Sequence, residues 1–193
     1  MSDISFEDRT VIVTGAGNGL GKAYAIELGN RGAKVVVNDL GGSVDGSGSG
    51  STPADEVVNE IIANGGEAVA NYDSVATKDG GEAIVQTAID SFGTVDAVIN
   101  NAGILRDKSF AKMTEEELSL IIDVHLKGTF FVSQPAFTVM KEKNYGRIVN
   151  VASPSGLFGN FGQSNYGAAK MGIVGLTNVL AIEGAKYLSL IHI

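Results

Sequence analysis

Thr10-Val11-Ile12-Val13-Thr14-Gly15-Ala16-Gly17-Asn18-Gly19-Leu20-Gly21 is the stretch that decides the fold. Its first five residues are β-branched and unbroken by polar alternation. That pattern belongs to a strand buried on both faces, as in a parallel sheet. Gly15 to Gly21 then make a tight turn, and a helix follows from about Gly19 to Arg31. A strand running through a glycine turn into a helix N-terminus leaves free N–H groups and a positive dipole end pointing at one spot. Such a spot binds phosphate.

The same alternation continues outward. Lys34-Val35-Val36-Val37-Asn38 reads as a second strand, and the Gly/Ser-rich residues 41–51 as a flexible loop. Thr52-Pro53-Ala54-Asp55 is a helix start, with Thr52 as N-cap and Pro53 at the first helical position, and the helix runs to about Asn64. Glu67–Asn71 is a third strand, Lys78 to Phe92 a third helix and Val95–Asn100 a fourth strand. Thr114-Glu115-Glu116-Glu117 is a capping box opening a long helix to about Lys141, with Pro135 the expected point of disturbance. Arg147–Val151 is a fifth strand. A loop and a helix from about Ser164 to Lys186 follow, and Leu188–Ile193 begins a sixth strand. Strand–helix alternation predicts an α/β fold: a doubly wound parallel sheet, Rossmann-like, stopping near its sixth strand. Residues 1–193 read as one domain.

The chemistry is expected beyond the carboxyl ends of the strands. The turn spacing is T-G-x-x-x-G-x-G, with Gly15, Gly19 and Gly21 in register, and Asn18 and Leu20 between them complete the expected cofactor contacts. Asp39 ends the second strand close to the usual distance of about 20 residues after the glycines. A carboxylate there accepts hydrogen bonds from ribose hydroxyls and repels a 2′-phosphate. Leu40-Gly41-Gly42 brings no cation, so the site favours NAD over NADP. As a plain alternative, Asp39 is only a turn residue.

Tyr166 and Lys170 are four apart on a predicted helix, hence one turn apart on one face. A free phenol loses its proton near pH 10. A neighbouring ammonium favours the phenolate and suits it to act as a base. Ser164, Asn165, Gly167, Ala168 and Ala169 are small and leave room for a cofactor ring.

The composition removes several alternatives. A net charge of -8 argues against nucleic acid or an anionic membrane surface as partner. Cys is absent and His125 and His192 are the two histidines, so disulfides, thiol nucleophiles and Cys/His metal sites are excluded. The N-terminal Met1–Asp8 has no apolar signal region, and no apolar run reaches the roughly 20 residues of a membrane span.

Taken together, the glycine turn, Asn100-Asn101-Ala102-Gly103, Ser153 and Tyr166-x-x-x-Lys170 resemble the short-chain dehydrogenase/reductase family over nearly the whole chain. Val37–Gly42, Ala70–Val75, Gly103–Asp107 and Gly156–Gln163 are similar to a narrower group within it, the (3R)-hydroxyacyl-CoA dehydrogenases, both peroxisomal modules and stand-alone bacterial forms. The resemblance implies an NAD-dependent oxidation of a 3-hydroxyacyl-CoA, cytoplasmic in a bacterium and peroxisomal in a eukaryote. By residue, it implies that Ser153 holds the substrate oxygen, with Ser155 a nearby rival. Tyr166 takes the proton and Lys170 assists it and binds the nicotinamide ribose. Asp73 and Ser74 meet the adenine, Leu40 follows Asp39 into the site, and Asn100, Asn101, Ala102 and Gly103 lie against the cofactor. His125 stands where many members carry an Asn whose main-chain carbonyl holds a relay water; its side chain either joins the relay or packs. The resemblance also implies a homodimer through the helices near 114–141 and 164–186, with Gly172 and Gly175 permitting close approach. Family members continue beyond this length, so most of the acyl-CoA pocket is expected to be missing and the chain to bind NAD weakly and turn over poorly. A 3-oxoacyl reductase of fatty-acid synthesis and a non-catalytic dinucleotide-binding module or inactive fragment are the competing readings.

Overall fold

A computed structural model describes residues 4–42, 52–187 and 190–192. Most of the loop expected at 41–51 therefore lies outside the described residues. Six strands form one parallel sheet: β1 (Thr10–Thr14), β2 (Lys34–Asn38), β3 (Glu67–Asn71), β4 (Ala97–Asn100), β5 (Arg147–Asn150) and β6 (Leu190–His192). Their spatial order is β3-β2-β1-β4-β5-β6. The helices are α1 (Gly19–Asn30), α2 (Thr52–Ala63), α3 (Lys78–Phe92), α4 (Glu115–Ile121), α5 (Gly128–Glu142), α6 (Pro154–Phe158) and α7 (Ser164–Gly184).

Side chains alternate across each strand, so the continuous valine runs serve two cores at once. Val11, Val13, Val35 and Val37 face one way and meet Ala25, Ala54, Val57 and Ile61 of α1 and α2. Ile12, Val36, Val98 and Ile148 face the other way and meet Ile84, Val85, Val132, Ala136 and Met140 of α3 and α5. Each fully buried Val or Ile contributes about 1.5–3 kcal/mol. The fourth strand begins at Ala97, two residues later than the sequence suggests. Asp96 instead turns its carboxylate onto the Thr10 N–H (2.8 Å) and the Lys143 ammonium (2.6 Å).

The helix expected over 114–141 is divided. Its capping box is present: the Thr114 hydroxyl accepts from Glu117 N–H, and the Glu117 carboxylate accepts from Thr114 N–H. The disturbance, however, lies at Ile122–Lys127, which winds as a π-helix between α4 and α5. Pro135 stays inside a continuous α5. Having no N–H, it leaves the Phe131 carbonyl without its helical donor. Gly81 of α3 packs against that carbonyl, where a Cβ would stand 2.6 Å from the oxygen.

The order of strands places the site. The chain runs outward from β1 to β2 and β3, then returns to β4 on the other side of β1. The reversal between β1 and β4 opens a crevice at their carboxyl ends, where Gly15 and Asn101 emerge.

Candidate functional site

A cleft of about 680 Å³ occupies that crevice. Gly15, Asn18, Gly19, Leu20, Asp39, Leu40, Asp73, Ser74, Asn101, Ala102 and Gly103, all expected from the sequence, line it. Gly15 and Gly19 take positive φ, 62° and 55°, which Gly adopts without strain. A Cβ on Gly15 would stand 2.7 Å from the Ala102 Cα, so the β1 and β4 turns touch backbone to backbone. Thr14 and Asn101 fasten them: the Thr14 hydroxyl accepts from Asn101 and Ala102 N–H (3.1 Å each), and the Asn101 amide donates to the Thr14 and Gly15 carbonyls (3.0 Å each).

Four residues expected at the cofactor, Gly21, Asn100, Tyr166 and Lys170, are not among the described residues that line the cleft. Gly21 is not on the cleft wall; it lies under the turn, where a Cβ would meet the Gly15 oxygen at 2.1 Å. Nor is Asn100: it is buried, donating to Ser133 Oγ (2.9 Å) and Asn150 Oδ1 (2.8 Å), and so joins β4 to α5 and β5. Asn38, Val75, Ala76, Ile104, Leu120 and Val124 line the cleft without having been foreseen. Asn38 reads only as a strand end and the other five are apolar, and nothing in the sequence marks which such residues border a crevice.

The Asp39 carboxylate accepts from Gly17 N–H (2.8 Å) and from Gly41 N–H (2.7 Å). It is thus both a turn residue and a cleft residue. Gly17, outside the glycine register, proves necessary: a Cβ there would stand 2.8 Å from the Asp39 carboxylate. No Lys or Arg is among the described residues that line the cleft. The cradle therefore fits a dinucleotide, with a close glycine turn at a helix N-terminus for the phosphates and a carboxylate on the rim.

Tyr166 and Lys170 lie together on α7. The Lys170 ammonium sits 5.6 Å from the Tyr166 ring centre and donates to the Val151 carbonyl at 2.6 Å. Lys170 is only 4% exposed, and burial pushes its pKa down to about 8. Ser153, two residues after Val151, caps α6 by accepting from Ser155 N–H (3.2 Å). Its own O–H has no acceptor among the described residues, whereas the Ser155 hydroxyl donates to Gln163 (2.8 Å). α6 lies directly on α7: a Cβ on Gly156 would stand 2.9 Å from the Met171 nitrogen, and one on Gly167 3.0 Å from the Ser155 oxygen. Gly167 thus serves packing rather than leaving space for a ring. Asn165 is likewise no spacer. It is buried, donating to the Arg106 and Glu117 carbonyls (3.0 and 3.1 Å) and accepting from Tyr166 N–H (2.7 Å).

His125 connects this group to the cleft. Its ring meets Tyr166 edge to face, with centroids 5.1 Å apart, and its Cε1 would be 2.5 Å from a Cβ on the cleft residue Gly103. Nε2 faces both the Ile104 carbonyl (2.8 Å) and the Ile104 N–H (3.1 Å), donating to the first in one tautomer and accepting from the second in the other. Nδ1 is buried and has no partner among the described residues. Burial, and secondarily the Lys170 charge, hold its pKa down to about 4 against the hydrogen bond to Ile104. The imidazole is therefore neutral at pH 7. The carbonyl of His125 already accepts from the Thr129 hydroxyl at 2.7 Å. Among the described residues, no group of three or more acidic or His side chains is placed to hold a metal, and no helix is long and apolar enough to cross a membrane.

Comparison with known proteins agrees with this geometry. The chain is 62% identical over 185 residues to the peroxisomal hydratase-dehydrogenase-epimerase of Saccharomyces cerevisiae, covering 96% of this chain and 20% of that protein. It is 57% identical to peroxisomal multifunctional enzyme type 2 of Mus musculus, covering 96% of this chain and 25% of that one. It spans a quarter or less of these two relatives. Its fold superposes on the crystal structure of a short chain dehydrogenase from Mycobacterium avium with a TM-score of 0.89 at 46% identity, covering 96% of this chain and 66% of that one. The short chain dehydrogenase family model matches residues 9–192. The chain belongs to the short-chain dehydrogenase family.

Proposed function

We propose that the chain oxidises a secondary alcohol, the 3-hydroxyl of a (3R)-3-hydroxyacyl-CoA, with NAD. The observation that carries the reading is the pairing of Tyr166 with a buried Lys170 ammonium anchored on Val151, beside a glycine-lined cleft with an acidic rim. The substrate class is supported by similarity to the peroxisomal relatives.

Gly15, Asn18, Gly19 and Leu20 hold the phosphates, Asp39 and Leu40 the adenosine ribose, Asp73 and Ser74 the adenine, and Asn101, Ala102 and Gly103 the nicotinamide half. When bound, NAD supplies the hydride acceptor. Tyr166 takes the proton from the substrate hydroxyl. Ser153 donates its free O–H to the same oxygen and steadies the charge on it. Lys170, fixed by Val151, keeps positive charge beside the phenol and reaches the nicotinamide ribose. His125 braces the Tyr166 ring from its edge. The carboxylate at Asp39 opposes an NADP-dependent reductase. Two copies pair through the helices near 114–141 and 164–186, where Phe130, Val179 and Ile182 are exposed. Of the two glycines expected to permit close approach, Gly175 has open space where a Cβ would stand, whereas one on Gly172 would stand 3.0 Å from Leu126 of its own chain. The compartment is the cytoplasm in a bacterium and the peroxisome in a eukaryote.

The test is an assay with NAD⁺ and NADP⁺ against both enantiomers of a 3-hydroxyacyl-CoA. NADH formation from the 3R enantiomer is expected. Preference for NADP⁺ or for the 3S enantiomer would refute the assignment.

A further inference from the structure

We infer that Asn71, paired with Asn38, is a positioning residue that holds the Asp73 carboxylate for an adenosine bound in the cleft. This rests on the reading of the cleft as a dinucleotide site.

Asn38 and Asn71 stand opposite each other in register at the carboxyl ends of β2 and β3, 2% and 4% exposed. Amides buried among valines are costly unless every polar atom finds a partner. Here the partners are specific. The Asn71 amide donates to Asp73 Oδ2 (2.8 Å) and Thr87 Oγ1 (2.9 Å). Its Oδ1 accepts from the Asn38 amide (2.8 Å) and from Asp73 N–H (3.0 Å). The Asn38 amide also donates to the Asp73 carbonyl at 2.9 Å.

The main chain of the pair extends the link. The Asn38 carbonyl accepts from Ala16 N–H in the glycine turn (2.9 Å), and the Asn71 carbonyl accepts from Asp39 N–H (3.0 Å). The glycine turn, Asp39 and Asp73 are thereby bonded into one unit. Val or Ile would fill a buried strand position as well, so packing alone does not ask for amides at 38 and 71. The pair grips the backbone of an exposed residue on both sides and one oxygen of its carboxylate. The effect is to hold Asp73 Oδ1 toward the cleft, where an adenine amino group is a fitting donor. Ligands carrying an adenosine depend on this hold.

The test is calorimetric titration of the 193-residue chain with NAD⁺ and with AMP. Asn71→Asp keeps the shape and Oδ1 but sets an oxygen against Asp73 Oδ2. It is expected to weaken both ligands by the same factor, about tenfold or more, corresponding to about 1.4 kcal/mol. Asn71→Asp combined with Asp73→Asn reverses the donor and acceptor and is expected to restore both affinities. Simple destabilisation would not be repaired by that second change. Thr87→Val lies on α3, is nearly isosteric and removes one acceptor; it is expected to weaken both ligands about two- to tenfold. The inference is overturned if Asn71→Asp binds both ligands like the wild type, or if the double variant is no better than the single. Should Asn71→Asp fail to fold, unchanged binding in Thr87→Val overturns it. A wild-type chain that binds neither ligand overturns the dinucleotide reading and this inference with it.

Discussion

Lys170→Met replaces a buried ammonium by an apolar side chain of similar length, and its effect on stability can be worked out from the structure. Burial lowers the Lys170 pKa from 10.5 to about 8. At ~1.36 kcal/mol per unit, that shift disfavours the charged form in the fold by about 3.4 kcal/mol. Against this, the variant leaves the Val151 carbonyl without its donor, at about 1–3 kcal/mol. The variant is therefore expected to be as stable as the wild type at pH 7, or up to about 2 kcal/mol more stable, while losing activity. The pH dependence discriminates better. Between pH 8 and 10.5 the unfolded chain keeps the Lys170 proton that the folded chain has released, so wild-type stability rises with pH through this window. From pH 7 to 9.5 the gain is about 2 kcal/mol, and Lys170→Met lacks it. Urea unfolding of both proteins at the two pH values reads the difference directly. Parallel pH profiles, or a variant several kcal/mol less stable at pH 7, would refute the claim that the fold holds this lysine at a cost to itself.

Neutral His125 predicts an acid-sensitive fold. Its pKa falls from 6.5 to about 4 on folding. The unfolded chain therefore binds its proton first as pH drops, and about 3 kcal/mol is lost between those values. His125→Asn should show a correspondingly shallower loss in thermal unfolding at pH 6.5 and 4.5. Gly21→Ala forces a Cβ to 2.1 Å from the Gly15 oxygen. It should destabilise by about 1–3 kcal/mol in chemical unfolding and weaken NAD⁺ at least tenfold in titration. Asp39→Ala removes the carboxylate that opposes a ribose phosphate, so the ratio of NADP⁺ to NAD⁺ affinity should rise by about tenfold or more, corresponding to about 1.4 kcal/mol.

Much of this was legible in the sequence because the physics is local. The valine runs of β1 and β2 can only be strands buried on both faces, and their bounds match the sequence reading to the residue. Thr114 and Glu117 announce their capping box by spacing alone. Tyr166 and Lys170, four apart on a helix, had to share a face, and they do. The unforeseen features depend on tertiary partners. The π-helix at Ile122–Lys127 follows no interruption in the apolar pattern and places His125 between Gly103 and Tyr166. Asn38 and Asn71 read as polar strand ends until the parallel register sets them side by side. Asn100 read as a cofactor contact together with Asn101, Ala102 and Gly103; its side chain is instead bonded to Ser133 and Asn150.

In the proposed reaction the Tyr166 phenol exchanges the substrate proton, while the glycine cleft binds the dinucleotide independently of it. Tyr166→Phe, measured for NAD⁺ affinity by calorimetry and for turnover by NADH formation, tests both halves at once. Affinity within about twofold of the wild type is expected, with turnover lower by about two to four orders of magnitude. Turnover retained at the wild-type level in that variant would remove Tyr166 from the proton transfer.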